Sequence, residues 1–218
     1  MADLCSDRLE DTPPFQSAGE DCFGPFYINK GKVTHSSLPT VKIWVVVFGC
    51  LPSRAIHLEP LDMLDMSSFI NALSCFSAVR GTSRLLRSDR GTNFVGACDE
   101  LPNIDLDKVS LSLSKNNISW VMNPPCSSHY RGIWERRIGS MRRVFEGALL
   151  QLSKRSLSRD AFVTLLQESS AIGNNTPLWA VSKDPSNPLP LALSTLLTLR
   201  EHPHHSPVDS FTEANLDA

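Results

Sequence analysis

The chain lacks any apolar run long enough to cross a bilayer. Its longest, Ile43 to Leu51, is about nine residues, against the roughly 20 a membrane helix needs. It therefore reads as a buried strand, and no membrane partner is expected. The N-terminus, Met-Ala-Asp-Leu-Cys-Ser-Asp-Arg, has no apolar core of the kind a signal peptide requires. The expected setting is intracellular. Close cysteine pairs are also missing. Cys5, Cys22, Cys50, Cys75, Cys98 and Cys126 form no C-x-x-C pattern, so structural zinc is not expected in this chain. Reduced, mostly buried thiols are the expectation instead. An excess of one charge is absent too. Lys and Arg total 21 against 23 Asp and Glu, a formal net charge of -2, which gives no global sign of a nucleic-acid partner, although local charge can differ sharply from the average.

What is present is the composition of an ordinary folded domain, 41% hydrophobic and 20% charged over 218 residues. Residues 1–19 are polar, contain Pro13-Pro14, and read as an extended lead-in. Cys22 to Ile28 reads as a strand. Val41 to Cys50, short and rich in valine, reads as a central strand buried on both faces. Arg54 to Leu58 alternates like a third strand. Ser67 to Arg80 has helical spacing, with Ser67 as its N-cap, Val79 on its apolar face and Gly81 as its stop. Arg84 to Ser88 and Ile118 to Met122 are further short strands. Ile133 to Leu152 reads as a long helix with Trp134, Ile138, Met141, Phe145, Ala148 and Leu149 on one face. Ser158 caps a second, ending near Ser170. A core over 20–180 is followed by a proline-rich tail, or remnant of a further domain, over 181–218. Three hairpin-compatible strands, a helix, then strands alternating with helices describe an α/β fold with a mixed central sheet flanked by helices. That is the element order of the ribonuclease-H-like fold.

Phosphoryl transfer by paired divalent cations needs hard oxygen ligands converging from separate elements. Asp21 opens the first strand, Asp89 ends a later one, and Glu135 lies in the first turn of the long helix. Taken singly, each has a plain structural explanation. Asp89 sits in Ser88-Asp89-Arg90-Gly91-Thr92-Asn93, which is also turn chemistry. Glu135 suits a helix start through the macrodipole alone, and Asp21 could be a surface residue. Together, in this element order, they outline a three-carboxylate metal site.

The surrounding motifs carry a resemblance. Asp21-Cys22-Phe23-Gly24-Pro25-Phe26, the run from Ser53 to Glu59, Arg87 to Ala97, Asn123-Pro124-Pro125 and Gly132-Ile133-Trp134-Glu135-Arg136 together resemble the integrase core of Bel/Pao-type LTR retrotransposons. The likeness runs in the same order over residues 1 to about 200. It implies a ribonuclease-H-like fold, DNA 3′-end processing and strand transfer. It also implies Mg²⁺ or Mn²⁺, as two ions held by Asp21, Asp89 and Glu135, and a homo-multimer working on double-stranded DNA. By the same resemblance, the loop from Pro124 to Arg131 lies at the DNA end. Arg131 stands where glycine is expected, and Arg90 where many integrases carry asparagine. The family's upstream His/Cys zinc module is not seen, nor is most of a C-terminal domain.

Local charge supports DNA contact. From Arg131 to Arg159 there are about eight Arg and Lys against two Glu, a positive stripe in a near-neutral chain. Arg131, Glu135 and Arg142 fall near one helical face. Arg131 and Arg142, with Asn123, Arg136 and Arg143, are the candidate DNA contacts, mainly to phosphates. A solvated helix face is the plain alternative. His57 reads as packed or at a strand edge, and His202, His204 and His205 as solvent-exposed in the tail. Ribonuclease H generally adds an acid on the first helix. Ser67 to Arg80 has none, which favours the integrase pattern. The competing reading from another class is a catalytically inactive relic or a domesticated DNA-binding module.

Overall fold

A computed structural model describes residues 11–29, 40–89, 111, 113–114, 116–123, 134–151, 157–178 and 191–199, with the side chains of 89, 122–123, 134–135 and 151 outside that description. Five strands form one sheet: β1 (Ser17–Asn29), β2 (Thr40–Cys50), β3 (Ile56–Leu61), β4 (Leu85–Asp89) and β5 (Ser119–Asn123). Their order across the sheet is β3-β2-β1-β4-β5. The first three pair antiparallel, as short connections allow. β4 joins β1 in parallel after the crossover through α1 (Met66–Arg80), and β5 joins β4 in parallel. Further helices among the described residues are α2 (Trp134–Gln151), α3 (Arg159–Asn174) and the short α4 (Leu193–Thr198).

Strand alternation sorts the core into two layers. Ala18, Cys22, Val46, Phe48 and Leu86 pack with Phe69, Leu73 and Phe76 of α1. Phe23, Ile43, Val45, Val47 and Leu58 pack on the other face with Ile138, Met141 and Phe145 of α2 and Phe162 and Leu166 of α3. Phe48 stacks on Phe76 with centroids 4.2 Å apart. Phe145 meets Phe26 and Phe162 edge-to-face at 5.1 and 5.4 Å, the geometry aromatic quadrupoles prefer. These contacts fix α2 against β1.

The expected strands and helices are present, with shifted ends. β1 begins at Ser17 rather than Cys22. Its first residues, Ser17-Ala18-Gly19-Glu20, show no hydrophobic alternation, yet they lie buried between β2 and β4. Phe15, ahead of the strand, is also buried and packs edge-on to Phe76. The third strand starts at Ile56, because Arg54 occupies a turn with φ 64°. The cap of α1 is Asp65, whose Oδ1 accepts from the Ser68 amide at 2.7 Å, and not Ser67. Val79 is exposed rather than on the packed face. Gly81 does stop the helix, with φ 87° and its N–H on the Ser77 carbonyl, and Ser158 does cap α3.

Two local features brace the sheet. The Phe23/Phe26 irregularity in β1 contains Gly24, at φ 132°, where a Cβ would stand 3.1 Å from Trp44 Cδ1 and 3.3 Å from the Ile43 carbonyl. Only glycine meets both conditions. At the sheet edge, Asn174 accepts from the Ile56 amide at 2.9 Å and donates to its carbonyl at 2.8 Å. It thereby supplies β3 with the partner a further strand would give. Beyond Asn175 the chain does not simply trail away. Pro177 bridges Ala192, and α4 follows with Leu193 buried.

Candidate functional site

Asp21 lies one residue beyond Glu20, and Asp89 one beyond Ser88. Glu20 and Ser88 are the last paired positions of the parallel β1–β4 ladder. The two candidate aspartates thus occupy neighbouring positions on adjacent strands at the centre of the sheet. Asp89 pairs on its other side with Asn123 of β5. In open α/β sheets the C-terminal ends of parallel strands are where ligands bind, and Asp89 and Asn123 close β4 and β5 there.

Asp21 is on the α2 side of the sheet. Its Oδ1 accepts from the Cys22 amide at 2.8 Å, and its Oδ2 stands 3.9 Å from an Arg142 guanidinium nitrogen. Arg142 is held over the Phe23 ring, 5.1 Å from its centroid, a cation–π placement that fixes the charge beside Asp21. Glu135 sits two turns earlier on the stripe that carries Ile138 and Arg142, about 10 Å along the axis from Arg142. At the level of backbone, the fold brings Asp21 and Asp89 together and sets Glu135 on the helix packed over Asp21.

Asp21, the one candidate ligand whose side chain is described, is of the type a hard divalent cation takes. Asp21 is partly exposed and offers carboxylate oxygen, the ligand Mg²⁺ selects. The one nearby thiol, Cys22, points to the opposite face and is buried. Burial, then the charges of Glu20 and Asp21, push that thiol well above its usual pKa, so it supplies no thiolate. Among residues whose side chains are described, no group of three or more His, Cys, Asp or Glu converges on one point; Asp89 and Glu135 are outside that set.

Of the candidate DNA contacts, Arg142 is beside Asp21. Arg143 is folded back on its own helix, with Nε 3.3 Å from the Gly139 carbonyl and Nη2 3.4 Å from Ser140 Oγ. Arg136 lies at the mouth of a cavity with Arg54 and Arg137. Asn123 is placed by its backbone only, and Arg131 and the loop from Pro124 lie outside the described residues, as do His202, His204 and His205. His57 is packed, 2.6 Å from Glu59 and beside the Phe76 ring. Cys22 and Cys50 are buried free thiols, and Cys75 is exposed.

One residue escaped the sequence reading. Glu20, next to Asp21 but on the α1 face, is 2% exposed. The Ser88 hydroxyl donates to its Oε1, the Trp120 indole donates to Ser88, and Oε2 has no partner. Burial lifts its pKa from 4.5 to about 8; the Ser88 hydrogen bond opposes the shift and the Asp21 charge adds to it. Adjacent acids on a strand face opposite ways, and only the strand's burial on both faces, visible in three dimensions, marks Glu20 as unusual.

No protein-family model matches the sequence, and no curated protein does. Solved structures do match. The HTLV-2 integrase catalytic core domain in complex with magnesium, in its trimeric form, superposes with a TM-score of 0.53 at 12% identity, covering 85% of this chain and 97% of that one. Its dimeric form gives 0.49 at 12% identity, over 80% and 95%. The fold is ribonuclease-H-like. In a ribonuclease-H-like sheet of this order, β1 is the central strand, so Asp21 lies mid-sheet beneath α2.

Proposed function

We propose that this chain is the catalytic core of a DNA integrase of the Bel/Pao retrotransposon type, which processes DNA 3′ ends and joins them to a target duplex. The observation that carries this reading is the register of β1 and β4, which sets Asp21, within β1, beside Asp89 at the end of β4. The magnesium complex of the HTLV-2 core supports the cofactor. That core's dimeric and trimeric forms support a multimeric working state.

In this reading Asp21, Asp89 and Glu135 hold two Mg²⁺ or Mn²⁺ ions. Bound there, the metal pair supplies the Lewis acidity that activates the attacking oxygen, from water or a DNA 3′-hydroxyl, and stabilises the leaving one. The chain's own residues bind and orient. Arg142, fixed over Phe23, presents positive charge to a phosphate lying at Asp21. Arg136 and Arg143 add charge along α2, and Asn123 and Arg131 flank the DNA end. No covalent protein intermediate is required. The absence of any acid in α1 separates the site from the four-acid pattern of ribonuclease H.

Calorimetric titration with Mg²⁺ or Mn²⁺, beside a fluorescence assay of duplex binding, tests the reading. Metal should bind the wild-type chain, with affinity reduced at least about tenfold in Asp21→Asn, as removal of a charged ligand predicts. Metal binding unchanged by Asp21→Asn, with duplex binding indifferent to metal, would instead identify a DNA-binding module.

A further inference from the structure

Away from the carboxylates, a cavity of about 450 Å³ opens between the start of α2, the end of α3 and the turn after β2. Arg54, Arg136, Arg137, Ser140 and Thr176 supply its polar lining and Leu178 and Leu193 part of its apolar wall, with no carboxylate among the described lining residues. The volume falls in the ~300–1,000 Å³ range of small-ligand sites. Three guanidinium-bearing side chains line this one cavity. Burial, and then the charge of Arg54, lower the pKa of Arg137.

Arg137 is already oriented. Its Nη2 donates to the Gly173 carbonyl and its Nη1 reaches Thr176 Oγ1 at 3.4 Å, while its buried Nε has no partner. Arg54 is unusual in its backbone. Its φ of 64° is in the left-handed region, which a long side chain seldom occupies and glycine or asparagine would enter more easily. The turn thus carries arginine at a position whose geometry favours other residues. Asn174, bonded to Ile56, ties the α3 wall to the strand that follows this turn, so the two sides of the cavity are held together.

We propose that this cavity is a phosphate-binding site, separate from the carboxylates, that grips a backbone phosphate of a DNA strand through Arg54, Arg136 and Arg137. Planar guanidinium forks match phosphate oxygens in pairs. The cavity and the candidate metal site both adjoin α2, Arg136 following Glu135 directly. One strand can therefore be anchored at the first while another of its phosphates lies at the second. The choice of DNA as the source of the phosphate rests on the integrase reading; the site itself does not.

The test measures duplex binding by fluorescence anisotropy over a range of salt, in EDTA, so that no catalysis is involved. Arg54→Gln is the principal variant because Arg54 is on an exposed turn; its melting temperature checks folding. Lys42→Gln, an equal charge change at the far end of β2, is the control. Arg54→Gln should weaken binding about tenfold, as loss of a charge-assisted hydrogen bond does, and flatten the dependence of log K on log salt by about one unit. Lys42→Gln should do neither. Equal effects of the two variants would overturn the proposal, leaving only general electrostatics. It would also fall if inorganic phosphate raised the melting temperature of wild type but not of Arg54→Gln while duplex binding stayed the same, since the site would then hold free phosphate. Failure of metal binding at Asp21 with Arg54-dependent duplex binding intact would remove the integrase reading and keep this site.

Discussion

Glu20 is an acid whose burial carries a cost. In the folded chain its carboxyl titrates near pH 8, against 4.5 when exposed. Below about pH 4.5 both states hold the proton, and the group does not bias folding. Between 4.5 and 8 the unfolded chain ionises while the folded one does not, so stability falls as pH rises, by about 1 kcal/mol per unit. Above 8 the loss is complete and constant. Glu20→Gln keeps the acceptor for Ser88 and removes the titration. In urea unfolding with EDTA present, the variant should match wild type near pH 4.5 and exceed it by about 2–3 kcal/mol at pH 7. Parallel pH profiles for the two proteins would show that Glu20 is not the buried acid described.

At the scale of elements, capping separates the two candidate starts of α1. Asp65→Ala should lower stability by about 1 kcal/mol, the usual loss of an N-cap, whereas Ser67→Ala should be near neutral; thermal or urea denaturation distinguishes them, and the reverse order would restore Ser67 as the cap. The sequence alone pointed to Ser67 because serine next to an apolar run is a cap signal, and aspartate two residues earlier is an equally good one. Periodicity revealed β2, α2 and α3 because their apolar spacing is dense. It missed the start of β1 because Ser17, Ala18 and Gly19 are chosen for close packing between strands rather than for hydrophobicity. It missed α4 because six residues offer too little period to read. Asp21, Asp89 and Glu135 are candidates by motif and order, and the β1–β4 register adds the adjacency of the first two. Glu20 and the Arg54–Arg137 cavity were not legible, since both arise from residues brought together across the sheet and between helices.

For the whole molecule, the sheet does two jobs. Its antiparallel half, β3-β2-β1, is buried under α1 on one face and α2 and α3 on the other, giving a rigid base. Its parallel half ends at Asp89 and Asn123, where the chain leaves the sheet. The base fixes Asp21, and the phenylalanine cluster fixes α2 above it, so the candidate chemistry is built on rigid elements. Arginines at Arg142 and around the Arg54 cavity then supply positive charge on a molecule of net charge -2, which is how a near-neutral chain can bind a polyanion. The measurement that bears most directly on the central claim is Mg²⁺-dependent nicking and joining of linear DNA ends by the purified chain and its Asp89→Asn variant. The account predicts activity in wild type and a loss of at least about 100-fold in Asp89→Asn, the scale for removing a transition-state charge stabiliser, with folding unchanged by circular dichroism. Full nicking and joining by a folded Asp89→Asn protein would contradict it.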